Sequence, residues 1–250
     1  GALVSLLTAP FALAASVGCF LASFLAIGRI GAGAPPAVRQ ARSIRAGLRF
    51  VLGEPVLRAV GIASALFQVA FAAQLTVYVL FLPRTLHLSG AEIGLVMAAL
   101  GPGAIAGSLL SARLPPRYGY GTVMVSAAAI GEAVLLAVPA LHGSSVLTVM
   151  ALAAVNVVFG ACGQLVDVSV MTVRQARTPV AIQGRVVATI NFVGMGLMPL
   201  GSLAAGYLAA ALGIRTALLL TTFALLLSPL YMAVSPLRKL GGHEVFSAQT

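Results

Sequence analysis

Long apolar stretches alternate with short polar or basic segments along most of this sequence. Each stretch holds close to the ~20 apolar residues that an α-helix needs to cross the hydrocarbon core of a membrane. Gly and Pro turn signals divide the longest stretches from their neighbours. The pattern predicts an all-α, polytopic membrane helical bundle. Its seven predicted spans are residues 11–29, 59–81, 92–111, 122–140, 146–168, 186–209 and 216–232.

The segments that connect these spans differ strongly in charge. When the spans cross the membrane in alternation, thirteen of the fifteen Lys and Arg residues fall on one side, and Arg84 and Arg215 are left on the other. An excess of Lys and Arg marks the cytoplasmic side of a membrane protein. We therefore expect a multi-pass protein of the inner (plasma) membrane whose C-terminus is cytoplasmic.

The overall composition agrees with a membrane location. The chain is 60% hydrophobic and 8% charged, with a net charge of +10, whereas soluble domains carry about 25% charged residues. Such a basic chain also invites a nucleic-acid function. Its arginines are spread over several short loops, however, which favours orientation in the membrane and contact with anionic lipid headgroups. We expect membrane lipid as a partner and no nucleic acid.

The sequence contains few features that would indicate catalysis or a bound cofactor. Cys19 and Cys162 lie inside predicted spans and lack the spacing of a metal or redox site. No Gly-Lys-Ser/Thr phosphate loop occurs, which argues against ATP-driven transport. A seven-span retinal protein needs a lysine inside the membrane, but the single lysine, Lys239, follows the last span. We expect no enzymatic activity and no cofactor or metal.

The longest polar segment, residues 31–55, contains a predicted amphipathic helix. At the angular spacing of an α-helix, four arginines lie within roughly a 120° arc and three apolar residues project on the opposite side. The arginines are Arg39, Arg42, Arg45 and Arg49, and the apolar residues are Ile44, Leu48 and Val51. Such a helix lies on the cytoplasmic membrane surface. A site for a regulatory partner is the alternative interpretation.

Small residues crowd two of the predicted spans. Gly103 and Gly107 form a GxxxG pattern in the third span, and Gly194, Gly201 and Pro199 occur in the sixth. Small residues let helices approach closely in lipid, so helix packing is the first interpretation. Gly and Pro also make helices bendable, which suits a protein that rocks between states.

Segments on the predicted cytoplasmic side carry a recognisable pattern. Segment 107–119 (GSLLSARLPPRYG) resembles the short basic loop between the second and third helices of each half in the major facilitator superfamily. Segment 174–186 (RQARTPVAIQGRV) resembles the loop before the eleventh helix in its efflux branch, which includes macrolide and enterobactin exporters. Segment 45–58 (RAGLRFVLGEPVLR) is similar to the central loop of that branch. The residues of the two loop motifs are Gly107, Arg113, Arg117, Gly184 and Arg185.

The resemblance covers essentially the whole chain, as helix six, the central loop and helices seven to twelve. It implies the C-terminal six-helix half of a major facilitator fold with one preceding helix, and a separate N-terminal half as partner. Residues 1–30 then end the N-terminal half, 31–57 form the central cytoplasmic loop, 58–236 form the six-helix domain, and 237–250 form a cytoplasmic tail. In the first loop motif, Leu-Pro-Pro replaces the acidic residue of the family.

Ionisable groups at membrane depth are costly and therefore point to function. Glu132 lies near the middle of the fourth span, where a proton-coupling carboxyl and a structural carboxyl are both open interpretations. The resemblance implies that this helix is peripheral to the transport cavity. Asp167 lies near the inner end of the fifth span and shares a helical face with Arg174. We expect there either a gate salt bridge to a loop arginine or a solvated acid.

Uncharged polar residues within the spans form a second candidate set. They lie on the helices that correspond to seven, ten and eleven of the family fold: Gln68, Gln74, Tyr78, Asn156, Gln164 and Asn191. Taken singly, each serves as well for a hydrogen bond between helices. Taken together, they can rim a cavity whose remaining apolar wall suits an apolar substrate.

These features predict a transporter that exports small amphipathic molecules by secondary-active alternating access, with this chain as its C-terminal part. The alternative is a non-transporting interaction or scaffold subunit derived from a truncated transporter. We expect no transport by the isolated part, because the cavity of such a fold lies between two halves.

Overall fold

The computed structural model describes residues 17–29 and 44–241, and the elements in this part of the chain are helical. The α-helices are α1 (Val17–Gly28), α2 (Ile44–Gly53), α3 (Pro55–Arg84), α4 (Gly90–Ala98), α5 (Leu100–Ser111), α6 (Leu114–Tyr118), α7 (Tyr120–Ala133), α8 (Val146–Ala176), α9 (Gln183–Leu212), α10 (Ile214–Leu225) and α11 (Leu227–Val234). Short 3₁₀ helices cover Val134–Ala140, Val180–Ile182 and Pro236–Lys239.

Six apolar helical units in the described residues are long enough to cross a membrane. They are α3, the pair α4–α5, α7 with its 3₁₀ extension, α8, α9 with the 3₁₀ turn before it, and the pair α10–α11. These correspond to six of the seven predicted spans and confirm the polytopic helical bundle. Of the remaining predicted span, α1 covers 12 residues, and residues 11–16 lie outside the described part.

Several helices extend beyond the predicted spans. The helix α3 begins at Pro55 because the Glu54 carboxylate accepts a hydrogen bond from the Leu57 backbone N–H and Pro55 occupies the first turn. The helix α8 continues past the predicted end at Val168 to Ala176. Hydropathy marks only the part of a helix that suits lipid, whereas backbone hydrogen bonds carry the helix into the polar region.

Glycines bring the helices into backbone contact. A Cβ on Gly103 or Gly107 of α5 would overlap with the carbonyl oxygen of Val157 or Ala161 on α8. A Cβ on Gly201 of α9 would overlap with a backbone carbonyl of α3 in the same way. The close approach expected of the GxxxG pattern is therefore present. Gly107 belongs to this helix contact and not to the loop that follows it.

One end of the bundle, which we call the basic end, gathers α2, the α5–α7 connection, the α8–α9 connection and the last described residues. There the Gly121 backbone N–H donates to the Leu240 carbonyl at 3.0 Å, and Leu237 and Leu240 are buried. The packed bundle thus includes residues that the sequence assigned to a cytoplasmic tail. Arg113 and Arg117 are exposed here, and the Arg117 guanidinium lies 5.3 Å from the centre of the Tyr118 ring.

The helix α2 packs at the basic end through a face that the sequence identified only in part. Val51 is buried, but Leu48, expected beside it, is 42% exposed. The reason is Gly47, whose missing side chain lets α2 approach Thr189 and the Arg185 backbone of α9. Arg49 is exposed, as predicted. Arg39, Arg42 and the side chains of Ile44 and Arg45 lie outside the described part.

The opposite end of the bundle is held by Arg215. Its guanidinium donates to the Leu141 carbonyl at 3.0 Å, contacts the His142 ring nitrogen Nε2, and lies 5.8 Å from the centre of the Phe81 ring. One of the two basic residues on the sparsely charged side thus fastens the α7–α8 connection to α10. His142 is exposed and contacts this arginine through its ring.

Candidate functional site

A cavity of about 450 Å³ opens between α3, α7, α8, α9 and α11. Its lining comes from the first half of α3 and of α9 and from the second half of α8. These halves adjoin the basic end, so the cavity lies in that part of the bundle. The helices that surround it pack on one another directly, with α3 against α9 and α7 against α8.

Aromatic side chains form one wall of the cavity. Phe67 of α3 and Phe159 of α8 both line it, and Phe71 lies between them. The rings of Phe67 and Phe71 are stacked at 5.4 Å, and those of Phe71 and Phe159 at 6.0 Å. Phe67 and Phe71 are one helical turn apart, a spacing that places both on one face. Our sequence prediction did not single out this pair, although its spacing is visible in the chain.

Glu132 lies in the wall of this cavity. The residue is 3% exposed, and within the described part of the chain its Oε2 atom has no hydrogen-bond partner. The helix α7, which the resemblance places at the periphery of the transport cavity, thus lines a cavity within this part of the fold. Because α7 packs along α8 and reaches α11, its Gly131–Glu132 face borders the same space as α3 and α9.

Asp167 and Arg174 also line the cavity, on one face of α8. They interact electrostatically, yet no ion pair within 4 Å joins them. Seven residues correspond to about 10 Å along a helix, which is too long for direct contact in this arrangement. The Arg174 guanidinium instead lies 3.2 Å from the Met171 sulfur. Among the described residues, Asp167 forms no gate salt bridge, and its side chain is exposed.

An ion pair between described residues at the basic end joins other side chains. Arg177 Nη1 lies 3.9 Å from Glu54 Oε1, and both side chains are about one-fifth exposed. This pair connects the segment before α3 to the end of α8. An exposed pair of this kind contributes about 0–1 kcal/mol, so it positions the connection more than it stabilises the bundle.

The uncharged polar candidates separate into two groups. Gln68 of α3 and Asn191 of α9 line the cavity. Gln74, Tyr78, Asn156 and Gln164 do not belong to its lining. Gln164 instead faces α5, where its Cβ stands beside Gly107. The cavity therefore has fewer amide groups than the sequence suggested.

Two of the polar candidates that lie outside the cavity lining form a buried link between helices. Asn156 Nδ2 of α8 donates to the Tyr78 hydroxyl of α3 at 2.8 Å and to its own helix at the Leu152 carbonyl. Both side chains are at most 5% exposed. This pair holds α3 against α8 above the cavity and acts as interhelical glue.

Gln74 makes a second buried link, between α3 and α10. Its Oε1 atom accepts from the hydroxyls of Thr221 at 2.6 Å and Thr222 at 3.2 Å, while its Nε2 atom has no partner among the described residues.

In the loop motif at the basic end, Arg185 is half-buried beside α2, and Gly184 is exposed.

Comparison with known proteins gives two positive results. Residues 1–249 match a family model described as "Transmembrane secretion effector". Over 154 residues the chain is 29% identical to the enterobactin exporter EntS of Citrobacter koseri, which covers 61% of this chain and 35% of the exporter. The match thus spans about a third of the length of that curated relative. No solved structure matches the chain.

Proposed function

Because the chain belongs to the transmembrane secretion effector family of the major facilitator superfamily, we propose that it forms the C-terminal part of a secondary-active exporter of small amphipathic molecules. The cavity is the observation that carries this proposal. Its volume of about 450 Å³ falls in the range of about 300–1,000 Å³ that small-molecule sites occupy. A scaffold subunit has no need of such a space.

The lining supports an amphipathic substrate. One wall is aromatic, through Phe67 and Phe159, while Glu132, Asp167 and Arg174 supply charge within the same space. An amphipathic substrate can pack its apolar part on the aromatic wall and pair its polar part with the charged side chains. Such pairing matters because polar groups that are buried without a partner are costly.

Alternating access is the mechanism we propose for substrate release. In α9, Gly196 and Gly206 have open space around them, and Pro199 interrupts the helical hydrogen bonds. Such positions allow a helix to bend. The tight glycine contact of α5 with α8 instead keeps these two helices together. We infer that α9 changes shape while the α5–α8 pair moves as a unit, against an N-terminal half that completes the cavity.

Export is tested in inside-out vesicles from efflux-deficient bacteria that express the complete gene. We expect uptake of amphipathic fluorescent dyes that depends on an ion gradient and not on ATP. Glu132→Gln and Asp167→Asn are each expected to lower uptake about tenfold, since the loss of ~1.4 kcal/mol of binding energy has that effect. Glu92→Gln, which alters an exposed capping carboxyl outside the cavity, is the matched control.

Two outcomes contradict this function. Uptake that survives collapse of all ion gradients rules out secondary-active transport, and equal uptake by vesicles without the protein rules out export altogether. In proteoliposomes the 250-residue chain alone is expected to give no flux. Flux from it shows that no companion half is needed.

The orientation of the bundle in the membrane is a second prediction. An excess of Arg marks the cytoplasmic side of a membrane protein, so we expect the basic end in the cytoplasm, in contact with the anionic lipid headgroups of the inner membrane. A fluorescent protein fused after Gly241 is expected to be bright. Alkaline phosphatase, which needs an oxidising compartment, is expected to be active when fused after His142 and inactive after Gly241. The reverse activities contradict the orientation.

A further inference from the structure

The cavity holds one carboxylate whose charge the surrounding protein does not balance. Glu132 is 3% exposed, and its Oε2 atom has no hydrogen-bond partner among the residues that the structure describes. An ionised carboxylate in such a place is costly unless a counter-charge arrives. A ligand that carries a positive charge supplies it.

The other charges of the cavity leave this imbalance in place. Asp167 and Arg174 bring one negative and one positive charge to the same face of α8, so together they add no net charge to the lining. The lining residues contributed by α3, α9 and α11 are uncharged. Beside Glu132, Gly131 packs on Cys162 of α8. With two carboxylates and one guanidinium, the lining therefore favours a single positive charge.

We propose that the cavity binds a monovalent organic cation with an aromatic or similarly flat apolar body, and that the Glu132 carboxylate is its charge partner. The inference rests on the proposed function, because it names the substrate class of the same cavity. Phe67 and Phe159 receive the apolar body. The faces of their rings are electron-rich and attract a nearby cation.

An anionic amphiphile fits the same space poorly. It meets the carboxylates of Glu132 and Asp167, against the single guanidinium of the lining, Arg174, whose Nη2 contacts the Met171 sulfur and whose Nε has no partner among the described residues. Like charges at close range in a low-dielectric site repel strongly. For two ligands of equal shape and apolar area, the sign of the charge therefore decides which one binds.

The test uses two probes of nearly equal size and opposite charge, tetraphenylphosphonium and tetraphenylborate. Equilibrium dialysis measures their binding to the purified product of the complete gene in non-ionic detergent, with empty micelles as background. We expect saturable binding of tetraphenylphosphonium and at least tenfold weaker binding of tetraphenylborate. Acidification is expected to weaken tetraphenylphosphonium binding, because a proton on Glu132 removes the counter-charge.

Substitutions then locate the site. Glu132→Gln is expected to weaken tetraphenylphosphonium binding at least tenfold, Glu132→Asp to restore part of it, and Glu92→Gln to leave it unchanged. A single symmetrical peak in size-exclusion chromatography shows that each variant is folded. Should Glu132→Gln misfold, Phe159→Ala replaces it as the second variant and is expected to weaken binding of the same cation.

Two results overturn the inference: equal affinity for the two probes, or unchanged cation affinity in folded Glu132→Gln. Neither result bears on transport itself. Export by the complete protein without cation binding leaves the proposed function standing, whereas cation binding without gradient-driven export removes that function and keeps the site.

Discussion

Alanine at Gly103 and Gly107 together is expected to separate α5 from α8 and to prevent the folded bundle from accumulating. Each new Cβ meets a backbone carbonyl oxygen of α8, at Val157 or Ala161. A flexible side chain can move away from such an overlap, but a helix backbone cannot do so without shifting the whole helix. Overpacking of this kind costs about 1–3 kcal/mol per site, and we expect both sites to lie at the upper end.

The matched control lies on the same helix. Gly101 has no atom within 4 Å of the place where its Cβ would stand. Because alanine is better than glycine in a helix by up to about 1 kcal/mol, Gly101→Ala is expected to be neutral or stabilising. Thermal stability in detergent, followed by fluorescence-detected size-exclusion chromatography, measures the three variants. Equal melting temperatures for Gly101→Ala and the double variant contradict the proposed backbone contact.

Replacing Asn156 with leucine is expected to destabilise the bundle by about 2 kcal/mol, because the buried Tyr78 hydroxyl then loses its partner. Tyr78→Phe is expected to cost about 1 kcal/mol or less, since Asn156 keeps its bond to the Leu152 carbonyl and interhelical hydrogen bonds in membranes are modest in strength. The two variants are therefore expected to differ in stability, although each removes the same hydrogen bond.

The same thermal assay measures this difference, and cation binding serves as the second readout. Because Tyr78 and Asn156 lie outside the cavity lining, the affinity for tetraphenylphosphonium is expected to stay within twofold of the unaltered chain. A tenfold loss of affinity in folded Tyr78→Phe would place this pair in the substrate site and not in the packing of α3 on α8.

The polar candidates show where sequence reasoning stops. Gln68 and Gln74 lie six residues apart on α3, so they point to different sides of the helix. One lines the cavity, and the other bonds to α10. Periodicity gives the angle between two side chains, but it does not say which neighbouring helix or space each one meets. The same limit applies to Gln164, which faces α5 and not the cavity.

Glu132 shows the same limit of sequence reasoning for a residue that the sequence did identify as a functional candidate. Its depth within an apolar span is plain from the sequence, and that depth alone points to function. The family resemblance placed its helix away from the cavity. The direct packing of α7 on α8 turns this residue toward the cavity within the described bundle.

By itself, the sequence determined the helical class, six of the spans, the uneven distribution of charge and the close contact at Gly103 and Gly107. These features depend on local composition, since lipid selects apolar runs and helix geometry aligns residues three or four apart. Only the tertiary structure decided which polar groups share a cavity, which ones hold helices together, and that Glu132 faces the cavity without a partner. Those outcomes depend on how helices distant in the sequence pack and rotate against one another, and no local pattern records that arrangement.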